Sequence, residues 1–201
     1  MAEAHPWGPS PPGVGGAHHP PSWPHPHDCN TTNTTTDQTR AFVESLFTAV
    51  ALDNFGASFA VALADDLVWT VTGSSPIAGR YEGKQVYVDR VLTPLRDVLV
   101  AMPVPIVEHI IVDGDWAVVN WRSEGVRGKN GANYDMQYAW LMRTELVETV
   151  NTDNGTDTDT GTGAEDDADL ERKIVEVIGF YDGQKVAAVF EGYVFKNSTT
   201  A

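Results

Sequence analysis

The chain has 201 residues, 42% of them hydrophobic, and a formal net charge of −15 at pH 7. This length provides one domain with appended segments. No apolar run approaches the roughly 20 residues that span a bilayer, and no basic stripe could neutralise nucleic-acid phosphates. We therefore expect neither a membrane nor a nucleic acid as partner, and the single cysteine, Cys29, excludes an intramolecular disulfide.

Residues 1–37 form a tail rich in proline, histidine and threonine, which has too few apolar side chains to fold. Five of the six histidines lie there at irregular spacing and without acidic or cysteine partners, so no metal site is predicted. The tail has no apolar leader segment, which predicts a cytoplasmic protein. Four glycosylation sequons would instead suit a secreted, N-glycosylated protein if a leader preceded Met1; they begin at Asn30, Asn33, Asn154 and Asn197.

The first half of the domain has helical periodicity interrupted by one strand. Asp37 is a candidate N-cap for a helix over 38–53, and a second helix is expected over 55–63. A β-branched and aromatic strand ends near Thr72, where a Gly-Ser-Ser-Pro loop stops the pairing. A third helical segment covers 84–99, with Pro94 expected to kink or split it.

The second half changes to strands. They are predicted over 106–112, 116–126, 133–145 and 173–181, followed by a short closing helix or extension over 184–190. Between Glu148 and Glu171 lie nine acidic residues and no basic ones. Helices followed by a strand meander indicate an α+β fold.

The stretch from Trp69 to Gly83, WTVTGSSPIAGRYEG, predicts a strand that opens beside a cavity. A large aromatic residue before a glycine-punctuated loop commonly lines small-molecule cavities. We expect aromatic and methionine walls, with tyrosine hydroxyls as hydrogen-bond donors. The predicted substrate-binding residues are Trp69, Tyr81, Trp121, Tyr134, Met136, Tyr138 and Trp140.

Four segments in this order resemble the SnoaL-like, ketosteroid-isomerase-like branch of the nuclear transport factor 2-like (NTF2-like) superfamily. They are ADDLVWTVTGSSPIAGRYEGK, VDGDWAVVNW, GANYDMQYAWLMR and KIVEVIGFYD. The resemblance covers 38–195 as one domain, with 196–201 as a C-terminal tail. It implies a cone-shaped, curved mixed sheet wrapped around a long helix, an apolar pocket at the open end, and a homodimer formed through the sheet. Against this template 147–170 is an acidic insertion in a hairpin turn, and its composition predicts disorder.

The resemblance also implies catalysis without a metal or an organic cofactor, by acid and base side chains held in the cone. His109 is the only histidine outside the tail, and it or Glu108 faces inward according to the register of its hairpin. Asp182 is the second candidate catalytic residue, and its alternative role is to cap the helix that follows.

Several positions depart from characterised branches of the superfamily. Ketosteroid isomerases carry a catalytic aspartate where this chain has Val71 and Thr72, and an oxyanion-hole tyrosine where it has Phe47. Limonene epoxide hydrolases need an arginine and an aspartate where this chain has Trp121 and Ser123. These departures argue against steroid isomerisation and epoxide opening.

Two functions therefore stay open. The first is a cofactor-free isomerase, cyclase or dehydratase that moves protons on an apolar, polyketide- or terpenoid-like molecule. The second is a non-catalytic module of the same fold that binds a small molecule or forms a dimer. The side chains that face the pocket decide between them, because an enzyme of this type needs a desolvated ionisable group there.

Overall fold

The computed structural model describes residues 29–148 and 170–195, with side chains from Thr34 onward. The helices in these residues are α1 (Cys29–Asp53), α2 (Ala57–Ala62), α3 (Lys84–Tyr87), α4 (Thr93–Val98) and α5 (Gly183–Val189). The strands are β1 (Leu63–Val71), β2 (Gly79–Glu82), β3 (Ile106–Asp113), β4 (Trp116–Arg122), β5 (Gln137–Glu148) and β6 (Leu170–Phe180).

The described strands form one six-stranded sheet in the order β2-β1-β6-β5-β4-β3. β1 runs parallel to β6, and the other neighbouring pairs are antiparallel. The sheet is mixed, curved and unclosed, and the long helix α1 packs against it over β3 and β4. The predicted α+β architecture is confirmed.

Strand alternation gives the sheet an inner and an outer face. Along β5 the side chains of Tyr138, Trp140 and Met142 are buried, whereas those between them are only partly covered. The expected alternation is therefore correct, because successive side chains of a strand point to opposite faces. The inner face carries most of the large aromatic residues of the core.

Helix α1 begins earlier than the sequence predicts. It starts at Cys29, so Asp37 lies within the helix and is not its N-cap. Tertiary contacts stabilise the early turns: the Thr36 hydroxyl accepts a hydrogen bond of 3.0 Å from the backbone N–H of Gly114, and Arg172 donates to Gln38. Packing against the β3–β4 hairpin thus overrides the weak helix propensity of a threonine-rich segment.

Pro94 splits the third helical segment as expected, and a π-helical turn separates the two parts. Residues 88–92 form a π-helical turn between α3 and α4, and the N–H of Thr93 bonds to the carbonyl of Val88. Pro94 lies in the first turn of α4. Proline lacks an N–H and clashes with the carbonyl four residues earlier, so one wider turn lets the helix continue past it.

Two strand boundaries differ from the predicted ones. β4 ends at Arg122 rather than Val126, and β5 begins at Gln137 rather than Asn133. The intervening chain keeps two isolated bridges, one between Arg127 and Asn133 and one between Gly128 and Leu99. Asp135 replaces the ladder there, because its carboxylate accepts hydrogen bonds from Val126 N and Arg127 Nη1.

Most of the predicted appendages lie outside the described residues: 1–28, 149–169 and 196–201. The two ends of the expected insertion are ordered strand residues, since Glu148 at the end of β5 pairs with Leu170 at the start of β6. The acidic segment therefore connects two paired antiparallel strands, as expected for a hairpin insertion. No helix in the described part of the chain is long and apolar enough to cross a membrane.

Candidate functional site: an aromatic cavity

An apolar cavity of about 30 Å³ lies between the inner face of the sheet and the helical side of the cone. Its walls are almost entirely aromatic and aliphatic. The lining residues are Phe55, Ile77, Tyr87, Val91, Leu92, Leu95, Leu99, Met102, Pro103, Trp121, Tyr134, Tyr138, Trp140 and Tyr181. A volume of this size accommodates about one water molecule, whereas small-molecule pockets usually measure about 300–1,000 Å³.

Two pairs of stacked aromatic rings support the walls of the cavity, and Trp140 lies between the two pairs. The rings of Trp121 and Tyr138 stack with centroids 3.6 Å apart, and those of Trp69 and Tyr87 stack at 4.2 Å. The Trp140 indole meets Trp121 at 5.2 Å and Trp69 at 5.0 Å, edge to face in both cases. Such contacts between rings contribute interaction energy beyond the area that they bury, so they stabilise the walls of the cavity.

Ser123 anchors the polar side of the cavity. Its hydroxyl is 3.3 Å from the Tyr138 hydroxyl, donates to the carbonyl of Tyr134 and accepts from the N–H of Met136. Ser123 follows β4 and is buried, so this network fixes the chain where β4 and β5 separate. It thereby holds the Tyr138 hydroxyl at the cavity wall.

The tyrosines of the cavity are held in their protonated form. Burial raises the pKa of Tyr87 and Tyr134 well above the usual value near 10, and it also raises the pKa of Tyr138 and Tyr181. Desolvation is the main cause in each case, because the phenolate is the charged form. At neutral pH these hydroxyls can donate hydrogen bonds, but they are poor general bases.

Two further buried donors belong to the cavity walls. The indole nitrogens of Trp121 and Trp140 are buried and have no hydrogen-bond partner among the described residues. The Trp140 N–H is close to the Tyr181 hydroxyl without reaching hydrogen-bond geometry. Buried donors normally have a hydrogen-bond partner, so these two N–H groups can donate to a ligand atom that carries a lone pair.

Phe55 enters the cavity from a strained backbone. Asn54 and Phe55 both adopt left-handed conformations, with φ of 54° and 59°. Arg96 donates a 2.6 Å hydrogen bond to the carbonyl of Phe55, and the Asp53 carboxylate accepts from the N–H groups of Gly56 and Ser58. The same bonds, led by that from Ser58, lower the pKa of Asp53. These contacts hold a conformation that a bulky residue rarely adopts.

His109 does not reach the cavity. The β3–β4 turn has two residues, and this register pairs His109 with Asn120 on the outer face of the sheet, where the imidazole is exposed. A bulge between Val107 and His109 turns Glu108 outward as well, and its carboxylate forms a 3.0 Å ion pair with Arg122. Neither alternative places an acid or a base in the cone.

Asp182 also lies outside the cavity, at the start of α5. It is exposed, and its Oδ1 accepts hydrogen bonds from the N–H groups of Gln184 and Lys185 at 3.1 and 3.2 Å. This is the N-cap geometry expected as its alternative role. The geometry gives no support to acid–base catalysis by His109 and Asp182.

The predicted substrate-binding residues divide into two groups. Trp121, Tyr134, Tyr138 and Trp140 line the cavity. Trp69, Tyr81 and Met136 do not: Trp69 is fully buried behind Tyr87, Met136 is buried in the core, and the Tyr81 hydroxyl donates to the carbonyl of Ile77 at 2.8 Å. Trp69 still influences the cavity, because its Nε1 donates to the Tyr181 hydroxyl at 3.3 Å.

Sequence reasoning missed three aromatic residues of the cavity: Phe55, Tyr87 and Tyr181. Tyr181 could have been found, since it shares the inward parity of Val177 and Gly179 on β6. Tyr87 could have been found from helical spacing, four residues before Val91. Phe55 gives no such signal, because its position depends on two left-handed residues.

The described residues contain no group of three or more histidine, cysteine, aspartate or glutamate side chains that could hold a metal ion. Nor does any carboxylate, imidazole, amine or guanidinium line the aromatic cavity. The arrangement can therefore surround a largely apolar molecule and donate hydrogen bonds to an oxygen of that molecule. It has no residue suited to take a proton from the molecule.

Comparison with known proteins identifies the fold but no close relative. No family profile matches the sequence, and no curated protein matches it either. An NTF2-like protein from Burkholderia thailandensis superposes with a TM-score of 0.52 at 18% identity, covering 78% of this chain and 97% of that one. TerC, crystallised with polyporic acid, superposes with a TM-score of 0.50 at 11% identity, covering 76% and 98%.

A Mesorhizobium loti protein assigned as a SnoaL-like polyketide cyclase is more distant. It has a TM-score of 0.46 at 19% identity and covers 71% of this chain and 97% of its own. The identities are too low to carry an activity from these proteins to this chain. What the superpositions and the topology agree on is the architecture: the protein has the NTF2-like fold.

Proposed function

We propose that this protein binds a small, neutral, apolar molecule in the aromatic cavity and does not transform it. One observation carries the proposal: every described side chain that lines the cavity is uncharged at neutral pH. Proton transfer of the ketosteroid-isomerase kind needs a base whose pKa is near the working pH. The buried tyrosines have pKa values shifted in the opposite direction.

The donors of the cavity define the chemistry of the ligand. The indole N–H groups of Trp121 and Trp140, which have no hydrogen-bond partner among the described residues, favour an acceptor oxygen. Aromatic walls favour a flat carbon skeleton. A neutral carbonyl compound, such as a polyketide- or terpenoid-like ketone, meets both requirements. TerC, which shares the fold, was crystallised with polyporic acid.

Matched ligands test this proposal directly. Acetophenone and α-methylstyrene have nearly the same shape, but only the ketone has an acceptor oxygen. Isothermal titration calorimetry should give saturable binding of the ketone, about 5- to 10-fold tighter than that of the hydrocarbon, since one hydrogen bond contributes about 1 kcal/mol. Equal affinities would refute recognition of an oxygen, and no binding of either would refute the proposal.

The catalytic function stays a competing hypothesis. The described residues that line the cavity include no side chain suited to act as its general base. The catalytic hypothesis would be restored if turnover of a ketone or enol ether accompanied binding. The same calorimetric samples, analysed by NMR after incubation, distinguish the two, since NMR detects an isomer of unchanged mass. Unchanged ligand is the result expected for a binding protein.

We also propose a homodimer formed through the outer face of the sheet. Ile111, Val118, Leu141 and Ile178 lie side by side across four strands of that face, and Ile111 is 65% exposed. Phe180 lies on the same face and is 50% exposed, and an exposed apolar patch of this kind is typical of an interface. Sedimentation should show a dimer that Ile111→Glu converts to a folded monomer, whereas a monomeric wild type would refute the interface.

A further inference from the structure

The cavity is smaller than any ligand that the proposed function requires, so one of its walls must limit what can enter. Tyr181 differs from the other aromatic walls in one respect. It follows the end of β6 and is only partly buried. Phe55, Tyr87, Trp121, Tyr134, Tyr138 and Trp140 are buried by comparison.

The Tyr181 ring rests on a glycine. Gly179 pairs with Trp140 on one side and with Val71 on the other, so it lies in the middle of the inner face. A Cβ built at Gly179 would meet the Tyr181 hydroxyl oxygen first and would lie 2.6 Å from Cε2 and 2.7 Å from Cζ, which is closer than real atoms approach. The ring can fold back over the sheet only because residue 179 has no side chain.

The contacts that hold the ring are few. Trp69 Nε1 donates to the Tyr181 hydroxyl at 3.3 Å, and the ring meets Tyr138 edge to face at 5.8 Å. By contrast, Tyr138 is stacked on Trp121 and bonded through Ser123. Among the tyrosines that line the cavity, Tyr181 alone is partly exposed, and it lacks the parallel stacking that holds Tyr87 and Tyr138.

We infer that Tyr181 is the specificity-determining residue of the cavity: its ring, seated against Gly179, closes the cone, has to move aside to admit a ligand and thereby limits the size of the ligand. This inference rests on the proposed binding function and adds the residue pair that sets ligand size. In this inference the Tyr181 ring sets the limit on ligand size, and the Tyr181 hydroxyl does not. The two contributions can therefore be separated by substitution.

The test compares a small and a large ketone, acetophenone and 1-acetonaphthone, by isothermal titration calorimetry. Tyr181→Ala removes the ring and should bind 1-acetonaphthone at least 10-fold tighter than wild type. Tyr181→Phe keeps the ring and should retain the wild-type preference for acetophenone. Gly179→Ala should resemble Tyr181→Ala, because its methyl group displaces the ring. Gly183→Ala is the matched control, since its Cβ would meet only the Ser75 N at 3.9 Å.

The outcomes separate the inference from the function on which it rests. If wild type binds acetophenone but Tyr181→Ala gains nothing for the larger ketone, the size limit is refuted and the binding function stands. If wild type binds neither ketone while Tyr181→Ala binds 1-acetonaphthone, the ring closes the cavity as inferred and the native binding function is refuted. A gain by Tyr181→Phe equal to that of Tyr181→Ala would overturn the role of the ring. Should Gly179→Ala fail to fold, the Ala and Phe variants at 181 still decide.

Discussion

Raising the pH above 10 should lower the stability of this protein steeply, because Tyr87, Tyr134 and Tyr138 are buried around the cavity. Their exposed fractions are 2%, 2% and 3%, and desolvation raises the pKa of each above the usual value. A group whose pKa is higher in the folded state stabilises that state fully below its unfolded pKa, near 10. The contribution is lost as the pH rises from there toward the folded pKa.

The size of this loss of stability follows from the protons that the unfolded chain releases as the pH rises. At pH 11 an unfolded tyrosine of pKa about 10 gains about 1.4 kcal/mol by ionising, and a buried one that stays protonated gains nothing. Three such residues lower the free energy of unfolding by about 4 kcal/mol between pH 9 and 11. A domain that is stable by about 5–15 kcal/mol then approaches its unfolding threshold.

Urea unfolding followed by tryptophan fluorescence at pH 8, 9, 10 and 11 measures this loss. Tyr138→Phe is the control, because removing one of the three groups should reduce the loss to about 3 kcal/mol. Absorbance at 295 nm adds a second observable, since the buried tyrosines should ionise together with unfolding. Independent ionisation of all six tyrosines near pH 10 in the folded protein would refute the reasoning.

Three further predictions concern single side chains. Asp182→Ala should lower the free energy of unfolding in urea by about 1 kcal/mol, the usual cost of a lost N-cap, without changing ketone affinity; a loss of affinity would mean that Asp182 acts on the ligand. His109→Ala should change the stability by less than about 0.5 kcal/mol, and a larger change would contradict its exposed position. Trp69→Ala should cost about 3–5 kcal/mol, because the indole is fully buried and carries the Tyr87 ring. Its thermal midpoint should fall sharply, and an unchanged midpoint would contradict the packing.

The architecture could be predicted because its signals are local. Hydrophobic alternation along β5 placed Tyr138, Trp140 and Met142 on the inner face, and the structure confirms it. The effect of Pro94 followed from the chemistry of proline. The start of α1 could not be predicted in this way, because its first turns depend on the distant Gly114.

The candidate site could be predicted only in part, for reasons that differ from residue to residue. The direction of His109 depends on the length of the β3–β4 turn, and that of Glu108 depends on a bulge, which leaves no mark in a sequence of this composition. The position of Phe55 depends on two left-handed residues. The effect of Gly179 on Tyr181 becomes visible only from the distance between them.

Hydrogen–deuterium exchange of a bound ketone tests the central claim, which is that the cavity binds without acting as an acid–base site. NMR can follow the α-protons of cyclohexanone in D2O with the protein at saturating concentration. We predict saturable shifts of the ligand signals and an exchange rate equal to that in the presence of the His109→Ala, Asp182→Ala double variant. An exchange rate at least about 100-fold faster with the wild type than with that variant would demonstrate general acid–base catalysis and contradict the account.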